Sequence, residues 1–322
     1  MKTIKKTLVA TAIASAALVN SASAANIFVV GGMPSDSFWS IVKKGVEDAG
    51  MVVEAQGGSV TWLGPQNYDN LGPDAAELIR QAIDQGADGI VASDWVPEAM
   101  DPAFKAAKAA GIELVVYNSG GLAKADEFGA LNYVGSDDSL AGLAGGEYLA
   151  KAGKKHGICV NTLPGTATAE AFCGGFVKGM KDNGADATVL PLPSTAMGNV
   201  TAVAQAVKAH LLQHPEIDAA FAINNIDNTG IATGAMQAGK SGKVGICGIN
   251  FDETVLNNIK AGKSTCAIDQ QGYHQGYMAV SILNGYINYG LTIPTREILT
   301  GPGIVDAANI DATLAGAKAG VR

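Results

Sequence analysis

Polar and aromatic residues follow the predicted strands of this chain, at the point where each strand ends. The segments read PSDSFW at 34–39, SDW at 93–95, YNS at 117–119, NNID at 224–227, NFD at 250–252 and DQQ at 269–271. Amide and carboxylate groups bind hydroxyl groups, and flat rings cover apolar C–H faces. The combination predicts a site for a neutral polyhydroxylated ligand.

The same residue types have a second interpretation, because Asp, Asn and Ser also stabilise turns and helix N-termini. Phe38 and Trp39 are alternatively explained as core residues. What favours the binding interpretation is the recurrence of the same types at the same structural position. The aspartates that precede predicted helices, and are alternatively explained as N-caps, are Asp36, Asp74, Asp137 and Asp252.

The elements that position these residues alternate between strand and helix patterns. Apolar runs predict strands at 26–32, 60–64, 88–92, 112–117, 157–161, 187–190, 219–224, 244–250 and 265–269. Helical spacing of apolar residues predicts intervening helices, including 38–49, 168–182, 200–212 and 271–289. Such alternation predicts parallel sheets with helices on both faces, and ligands bind beyond the carboxyl ends of their strands. About ten strands are better divided between two α/β domains than placed in one.

Composition and charge exclude several classes of protein. The chain of 322 residues has 22 Lys and Arg against 30 Asp and Glu, a net charge of −8, which argues against a nucleic-acid partner. A hydrophobic fraction of 48% with 16% charged residues argues against disorder. The sequence lacks a G-x-S-x-G elbow, a Walker A motif and an H-E-x-x-H zinc motif. We therefore expect neither an enzyme nor a bound cofactor or metal.

The first 24 residues have the pattern of a secretory signal peptide. Lys2, Lys5 and Lys6 form a positive segment, a short apolar stretch follows, and residues 22–24 supply an A-x-A cleavage site. The apolar stretch is shorter than the ~20 residues that a membrane span needs. We expect an exported periplasmic protein that begins at Ala25 after cleavage.

Export changes the interpretation of the four cysteines, because disulfides persist outside the cytoplasm. None has a C-x-x-C spacing, and four cysteines allow three pairings. We favour Cys159 with Cys173 and Cys247 with Cys266, because each pair closes a short stretch on consecutive elements. Buried free thiols are the alternative.

Five segments, in this order, are similar to those of a known family. They read DSFW at 36–39, ADGIV at 87–91, GIELVVYN at 111–118, VGSD at 134–137 and CAIDQQ at 266–271. Together they resemble the periplasmic sugar-binding proteins of ABC importers, in the ribose-binding-like branch of type I periplasmic binding proteins. The resemblance covers essentially the whole chain after the signal peptide.

The resemblance implies an α/β fold of two Rossmann-like domains joined by three hinge crossings. The expected domains are 25–133 with 271–295 and 134–270 with 296–322. It also implies binding residues in both domains, while Asp94 is a candidate from the strand-end pattern alone. The ligand-binding candidates are Asp36, Phe38, Trp39, Asp94, Asn118, Glu170 or Phe172, Asn224 or Asp227, Asn250 and Gln270.

Departures from the family pattern bear on the ligand. Ribose-type members commonly have an Asp-Arg pair where this chain has 118–119 (NS), an Arg where it has Glu170 and an Asp where it has Asn250. Anions are usually held by bidentate Arg, and this chain has no Arg at these positions. We therefore expect a neutral sugar or polyol. A cationic ligand held by Asp36, Glu170 and Trp39 is the alternative.

The expected partners follow from the same resemblance. The chain is expected to be a monomer that captures its ligand by hinge closure and delivers it to ABC permease subunits at the inner membrane. The alternative function is a periplasmic sensor that presents the ligand to a chemoreceptor or a kinase.

Overall fold

Strands and helices alternate along the part of the chain that the computed structural model describes, residues 24–322. The signal peptide predicted at 1–24 therefore lies outside the described residues, apart from Ala24. The strands are β1 (Asn26–Val30), β2 (Ser59–Leu63), β3 (Gly89–Ala92), β4 (Glu113–Tyr117), β5 (Tyr133–Ser136), β6 (His156–Asn161), β7 (Asp186–Pro191), β8 (Ala219–Ala222), β9 (Gly245–Gly248), β10 (Ala267–Asp269), β11 (Glu297–Gly301) and β12 (Gly303–Val305). The helices are α1 (Ser37–Ala55), α2 (Leu71–Asp84), α3 (Pro97–Ala109), α4 (Gly121–Glu127), α5 (Asp138–Lys151), α6 (Ala167–Asp182), α7 (Val200–Gln213), α8 (Asn225–Gln237), α9 (Glu253–Lys260), α10 (Gly272–Tyr289) and α11 (Ile310–Lys318).

Two parallel sheets organise these elements, which confirms the predicted α/β fold. The first sheet has the order β11-β5-β4-β3-β1-β2 and the second has the order β7-β6-β8-β9. All neighbours within each sheet are parallel, whereas β10 and β12 form a small antiparallel pair. The central strands β3 and β8 are wholly buried, as expected when helices cover both faces.

The first sheet includes residues that the sequence predicted for the second domain. That division assigned residues 134–136 and 297–301 to the second domain, yet β5 and β11 pair with each other in the first sheet. The reason is packing: Tyr133 is buried, and its hydroxyl donates to the carbonyl oxygens of Asn118 and Ser136. The chain therefore leaves the first sheet for the second after β5. It returns from the β10–β12 pair to the first sheet after β10, and enters that pair again after β11.

Three of the four candidate N-caps perform that role. The side chains of Asp36, Asp137 and Asp252 accept hydrogen bonds from main-chain N–H groups in the first turns of α1, α5 and α9. Asp74 instead lies inside α2. Capping does not exclude a second role, because a carboxylate has two oxygens and several acceptor positions.

The two disulfides have the predicted pairing. Cys159 of β6 is bonded to Cys173 of α6, and Cys247 of β9 is bonded to Cys266, the residue before β10. All four are buried. The first bond ties β6 to α6, which covers the second sheet. The second bond ties β9 to the segment before β10, from which the chain continues toward the first domain.

No helix among residues 24–322 is long and apolar enough to cross a bilayer.

Helices α5 and α6 approach each other closely through glycines. An added Cβ at Gly142 would lie 2.0 Å from the carbonyl oxygen of Phe172, and one at Gly175 would lie 2.1 Å from that of Ser139. Real Cβ atoms do not occupy such distances, so the backbones touch only because side chains are absent there. The contact fixes α6, and with it the strand-to-helix turn that faces the first domain.

Substituting Gly175 by Ala is therefore expected to destabilise the protein. The added methyl group overpacks a contact between two backbones, which typically costs about 1–3 kcal/mol. Thermal unfolding is expected at a midpoint several degrees lower, since about 1 kcal/mol shifts a domain of this size by ~2–4 °C. Gly174→Ala on the same helix is the control, because nothing lies within 4 Å of its Cβ position. Equal midpoints for the two variants would contradict the proposed contact.

Candidate functional site

A cavity lies between the carboxyl ends of the two sheets, where the sequence pattern placed the ligand. Its volume is about 140 Å³. An engineered cavity of about 150 Å³ admits a benzene ring, so this space suits one six-membered ring. The lining residues are Asp36, Phe38, Trp39, Tyr68, Leu71, Trp95, Asn118, Asp138, Leu163, Thr166, Thr168, Phe172, Met197, Ile223, Asn224, Asn225, Ile249, Asn250 and Gln270.

One wall of the cavity is an aromatic cluster centred on Trp39. Its ring centroid lies 5.4 Å from that of Trp95 and 5.2 Å from that of Phe38, with both pairs edge to face. A Cβ at Gly32 would lie 2.2 Å from the Trp39 ring, so the indole packs directly on the backbone after β1. The core interpretation of Trp39 is thus also correct: the ring is 7% exposed and still lines the cavity.

Two asparagines of the cavity have left-handed backbones. Asn118 and Asn250 each have φ of 60°, a conformation that Asn tolerates better than most residues. Each follows a buried strand, β4 or the extension of β9, and the left-handed turn directs the chain sharply at the cavity edge. Unusual backbone conformations of this kind cluster at ligand sites.

Amide side chains connect these two residues at the hinge. Asn118 Nδ2 donates to Gln275 Oε1 at 3.2 Å, and Gln270 Nε2 donates to Asn250 Oδ1 at 3.1 Å. Gln270 Oε1 is buried and has no hydrogen-bond partner among the described residues. Because Gln270 lines the cavity, that oxygen is an acceptor suited to a ligand hydroxyl.

Two carboxyl groups face the cavity from opposite sides. Burial raises the pKa of Asp36, although the N–H groups of Trp39 and Phe38 and the Tyr68 hydroxyl oppose the increase. Burial, with a smaller contribution from the charge of Asp137, also raises the pKa of Asp138 well above its usual range. None of the described residues that line the cavity is Lys, Arg or His. The cavity therefore offers hydrogen-bond acceptors and no charge partner for an anion.

Two hydrogen bonds connect the domains across the cleft. Ser119 Oγ and Thr168 Oγ1 are 2.7 Å apart, and Asn225 Nδ2 donates to Ser37 Oγ at 3.1 Å. Asn225 also donates to Asp252 Oδ2 at 2.9 Å. These contacts are formed when the cleft is closed.

The structure brings most of the sequence candidates together and places three elsewhere. The sequence left two alternatives open. In the first, the cavity residue is Phe172 and not Glu170. In the second, it is Asn224 and not Asp227. The candidates at the cavity are Asp36, Phe38, Trp39, Asn118, Phe172, Asn224, Asn250 and Gln270. Those that do not line it are Asp94, Glu170 and Asp227.

Asp94, the neighbour of Trp95, is fully buried and does not line the cavity. Burial and the nearby Asp101 carboxylate raise its pKa to about 7, while Lys124, 3.9 Å away, opposes the increase. Its main-chain N–H donates to the carbonyl oxygen of Ser119 at 3.1 Å. Asp94 therefore supports the loops after β3 and β4.

Glu170 and Asp227 also support loops. Glu170 Oε1 accepts from Asn161 Nδ2 at 3.0 Å and from the Gly165 N–H at 2.9 Å. Asp227 Oδ2 accepts from Thr162 Oγ1 at 2.6 Å and from Asn224 Nδ2 at 2.8 Å. Asp227 thus fixes the orientation of Asn224 at the cavity.

Sequence reasoning missed several cavity residues. Trp95 belongs to a strand-end segment that it recognised, but the neighbouring Asp94 was chosen instead. Asp138 directly follows the cap Asp137, and the consecutive acids were the available signal. Asn225 lies in the recognised strand-end segment at 224–227, where the neighbouring Asn224 was chosen instead. Tyr68 and Thr168 had no distinguishing pattern.

The buried carboxyl of Asp227 makes a testable contribution to the pH dependence of stability. Burial raises its pKa to about 7, against hydrogen bonds from Thr162 and Asn224 that lower it. The folded state keeps this proton up to about pH 7, whereas the unfolded chain releases it near pH 4. The free energy of unfolding is therefore expected to fall as pH rises through this interval, by up to about 1.4 kcal/mol per pH unit for this group.

Asp227→Asn removes this titration, because its amide resembles the protonated acid. Urea unfolding at pH 5 and pH 8 is expected to show a smaller pH-dependent loss of stability in the variant than in the wild type. Asp84→Asn, at an exposed helix end, is the control and keeps the wild-type pH dependence. Parallel profiles of D227N and wild type would show that the residue 227 carboxyl does not titrate as described.

Known proteins of similar fold and sequence agree with this geometry. One similar structure is that of a carbohydrate transporter from Acidothermus cellulolyticus in complex with myo-inositol. It is 30% identical to this chain, with a TM-score of 0.81, and the match covers 92% of this chain and 100% of that protein. An ABC transporter periplasmic solute-binding protein from Actinobacillus succinogenes with bound D-allose has the same fold, at 23% identity and a TM-score of 0.75, covering 89% of this chain and 99% of that one.

A sequence relative and a family model complete the comparison. The xylose/arabinose-binding protein XylF of Sulfolobus acidocaldarius is 22% identical over 312 residues, covering 88% of this chain and 75% of the relative. Residues 23–291 match the model of the periplasmic binding protein domain. The chain, with its two parallel sheets and a cavity at their facing carboxyl ends, belongs to the periplasmic binding protein domain family.

Proposed function

We propose that this protein captures one neutral cyclic polyol, a monosaccharide or a cyclitol, between its two domains and delivers it to an ABC importer. The observation that carries the proposal is the composition of the cavity. Carboxyl groups and amides surround it, aromatic rings form one wall, and none of its described lining residues is cationic. Hydroxyl groups donate to such acceptors, while the C–H face of a ring packs on indole.

The charge distribution supports a neutral ligand. Asp36 and Asp138 approach the cavity from different domains, so an anion would face two carboxyl groups without a guanidinium to bind it. Each carboxyl accepts hydrogen bonds from hydroxyls. Gln270 Oε1, buried without a partner among the described residues, provides a further acceptor.

The size of the cavity supports a single ring. About 140 Å³ accommodates one six-membered ring and not two. The 30% identical protein solved with myo-inositol makes cyclitols the first ligands to test. Aldopyranoses form the second group, because their ring size and hydroxyl arrangement are similar.

The proposed mechanism is closure of the two domains on the ligand. Contacts from both domains stabilise the closed form only to the extent that the ligand binds it more tightly than the open form. The closed form is then recognised by the permease subunits of the importer. We further propose that the protein acts as a monomer, and that it is exported through a signal peptide cleaved after Ala24.

Ligand binding is testable by thermal unfolding of residues 25–322 with a panel of compounds. A ligand at 100 times its Kd is expected to add about 2.7 kcal/mol of stability and to raise the midpoint by several degrees. The increase is expected with myo-inositol or an aldopyranose and absent with sugar acids and aminosugars. An increase with charged compounds only would contradict the proposal.

Gln270→Ala and Asn250→Ala are expected to weaken binding of the ligand found in this panel. Each removes an amide that lines the cavity, and a lost hydrogen bond to a buried ligand corresponds to about a tenfold increase in Kd, measured by calorimetry. The control is Gln237→Ala, an exposed glutamine at the end of α8. Wild-type Kd values in both cavity variants would remove these residues from the binding site.

A further inference from the structure

The turn that carries Gln270 at the edge of the cavity has an unusual backbone. Gln271, the next residue, is left-handed with φ of 51°, which is uncommon for a residue that is not glycine, asparagine or aspartate. A residue persists in such a conformation only where its surroundings hold it there. The contacts that hold this turn therefore bear on where the Gln270 side chain points.

Asp269, the last residue of β10, supplies one of these contacts. Its Oδ1 accepts from the Gln271 N–H at 2.7 Å. An aspartate that accepts from the main-chain N–H two residues ahead closes an Asx turn, here around Gln270. Asp269 is only 4% exposed, so the bond is largely shielded from water.

The second oxygen of the same carboxylate is bound by Arg322. Arg322 Nε donates to Asp269 Oδ2 at 2.7 Å, although the two residues are 53 positions apart in the chain. The C-terminal end of α11 places the arginine, because the Val321 N–H donates to the Gly316 carbonyl oxygen at 3.2 Å and folds the chain back on the helix. Both oxygens of the buried carboxylate thus have a partner.

The Gln270 side chain itself is held at a single point. Its Nε2 donates to Asn250 Oδ1 at 3.1 Å, and its Oε1 is buried without a hydrogen-bond partner among the described residues. The direction of Oε1 therefore depends on the backbone of 269–271 as well as on Asn250. A small rotation of this turn moves the acceptor away from a ligand hydroxyl.

We propose that Asp269 and Arg322 are positioning residues for the ligand, which together hold the turn that directs Gln270 Oε1 into the cavity. The proposal rests on the function proposed above. Neither residue lines the cavity, so their effect on a ligand passes through Gln270. The alternative is that the ion pair only anchors α11 to the second domain.

The charge of Arg322 matters because Asp269 is buried. A buried carboxylate that loses its cation is strongly destabilised, and it regains hydration by leaving the turn. Loss of the guanidinium is therefore expected to weaken the bond to the Gln271 N–H as well. Asparagine at residue 269 keeps an oxygen for this N–H but no longer attracts a cation, whereas alanine removes both contacts.

The first test measures ligand affinity in Asp269→Ala, Asp269→Asn and Arg322→Gln. The probe is myo-inositol, or the aldopyranose with the largest effect in the thermal panel if myo-inositol has none. Kd is expected to rise about tenfold in Asp269→Ala and about threefold in the other two variants, as for loss of one hydrogen bond or part of one. Wild-type Kd values in all three variants would overturn the proposal.

A double-mutant cycle with Gln270→Ala separates positioning of Gln270 from general support of the fold. Asp269→Asn is expected to raise Kd about threefold in the wild-type background and to leave the Kd of Gln270→Ala unchanged, since the group that it positions is then absent. Equal increases in the two backgrounds would show that Asp269 affects binding by another route, and would overturn the proposal.

Arg322→Lys tests the role of the charge. The Lys Nζ lies one bond beyond the position of Arg Nε, and the contact to replace is a single hydrogen bond, so lysine is expected to restore a Kd close to the wild-type value. An increase as large as that in Arg322→Gln would show that the charge at residue 322 does not hold the turn.

Arg80→Gln is the matched control. Arg80 Nη1 also contacts a carboxylate, Glu77 Oε2 at 3.2 Å, but both side chains lie on the exposed surface of α2. Its Kd is expected to equal that of the wild type. An increase equal to that of Arg322→Gln would assign the effect to net charge and overturn the proposal. Circular dichroism and the ligand-free thermal midpoint establish that the variants are folded.

A measurement without ligand separates failure of the proposal from failure of the proposed function. Hydrogen exchange of the Gln271 N–H, followed by NMR, is expected to be at least about tenfold faster in Asp269→Ala than in wild type, because the protecting hydrogen bond is gone. If no neutral polyol binds the wild type but this exchange accelerates, the proposed ligand is wrong and the turn contact stands. If a polyol binds while exchange and Kd are unchanged in the variants, the positioning role is wrong and the function stands.

Discussion

The hinge depends on one main-chain oxygen, the carbonyl of Gln270. It accepts from Gln275 Nε2 at 3.0 Å and from Thr300 Oγ1 at 2.7 Å, so it joins the crossing after β10 to the start of α10 and to the end of β11. Gln275 also accepts from Asn118 at the end of β4. Because these groups are buried, leaving one of them unpaired would be costly, so the hydrogen bonds hold these segments together. In the proposed mechanism, the two domains close about these joined segments.

Burial of carboxyl groups around the cleft follows from the same arrangement. Strands of both sheets end at the cavity, and their polar ends are removed from water when the domains close. Asp36 and Asp138 have raised pKa values because of that burial, and the cavity lining contributes no Lys, Arg or His among the described residues to offset it. Hydroxyl donors of a neutral ligand satisfy the carboxyls without adding charge. Under the proposed function, this burial disfavours an anionic ligand.

Behind each cavity wall lies a second set of polar residues that positions the first. Asp94 joins the loops that carry Trp95 and Asn118, while Asp227 fixes Asn224 through both ends of its amide. The disulfide between Cys247 and Cys266 ties β9 to the segment that leads into Gln270. The α5–α6 glycine contact fixes α6, which carries the cavity residues Thr168 and Phe172. Together, these contacts hold the side chains that line the cavity in position.

Several features were determined by the sequence alone. Alternating apolar runs and helical spacing indicated two parallel sheets, because strands buried on both faces must be continuously apolar. Asn118, Asn250 and Gln270 each follow a predicted strand, and the carboxyl ends of parallel strands meet at one edge. Their individual roles as ligand contacts were implied by the resemblance to the sugar-binding family. The disulfide pairing was also identified, since each pair closes a short stretch between neighbouring elements.

Only the tertiary structure decided which side chain of each loop faces the cavity. Asp94 and Trp95 are adjacent, yet the ring faces the cavity while the carboxyl is buried behind it against Lys124. Asp137 caps α5 and Asp138 faces the cleft, although the two are chemically identical. Local sequence sets which residues occupy a turn, but backbone torsions and contacts with distant segments set where each side chain points. For Thr168, that distant segment is Ser119 of the other domain, which no local pattern encodes.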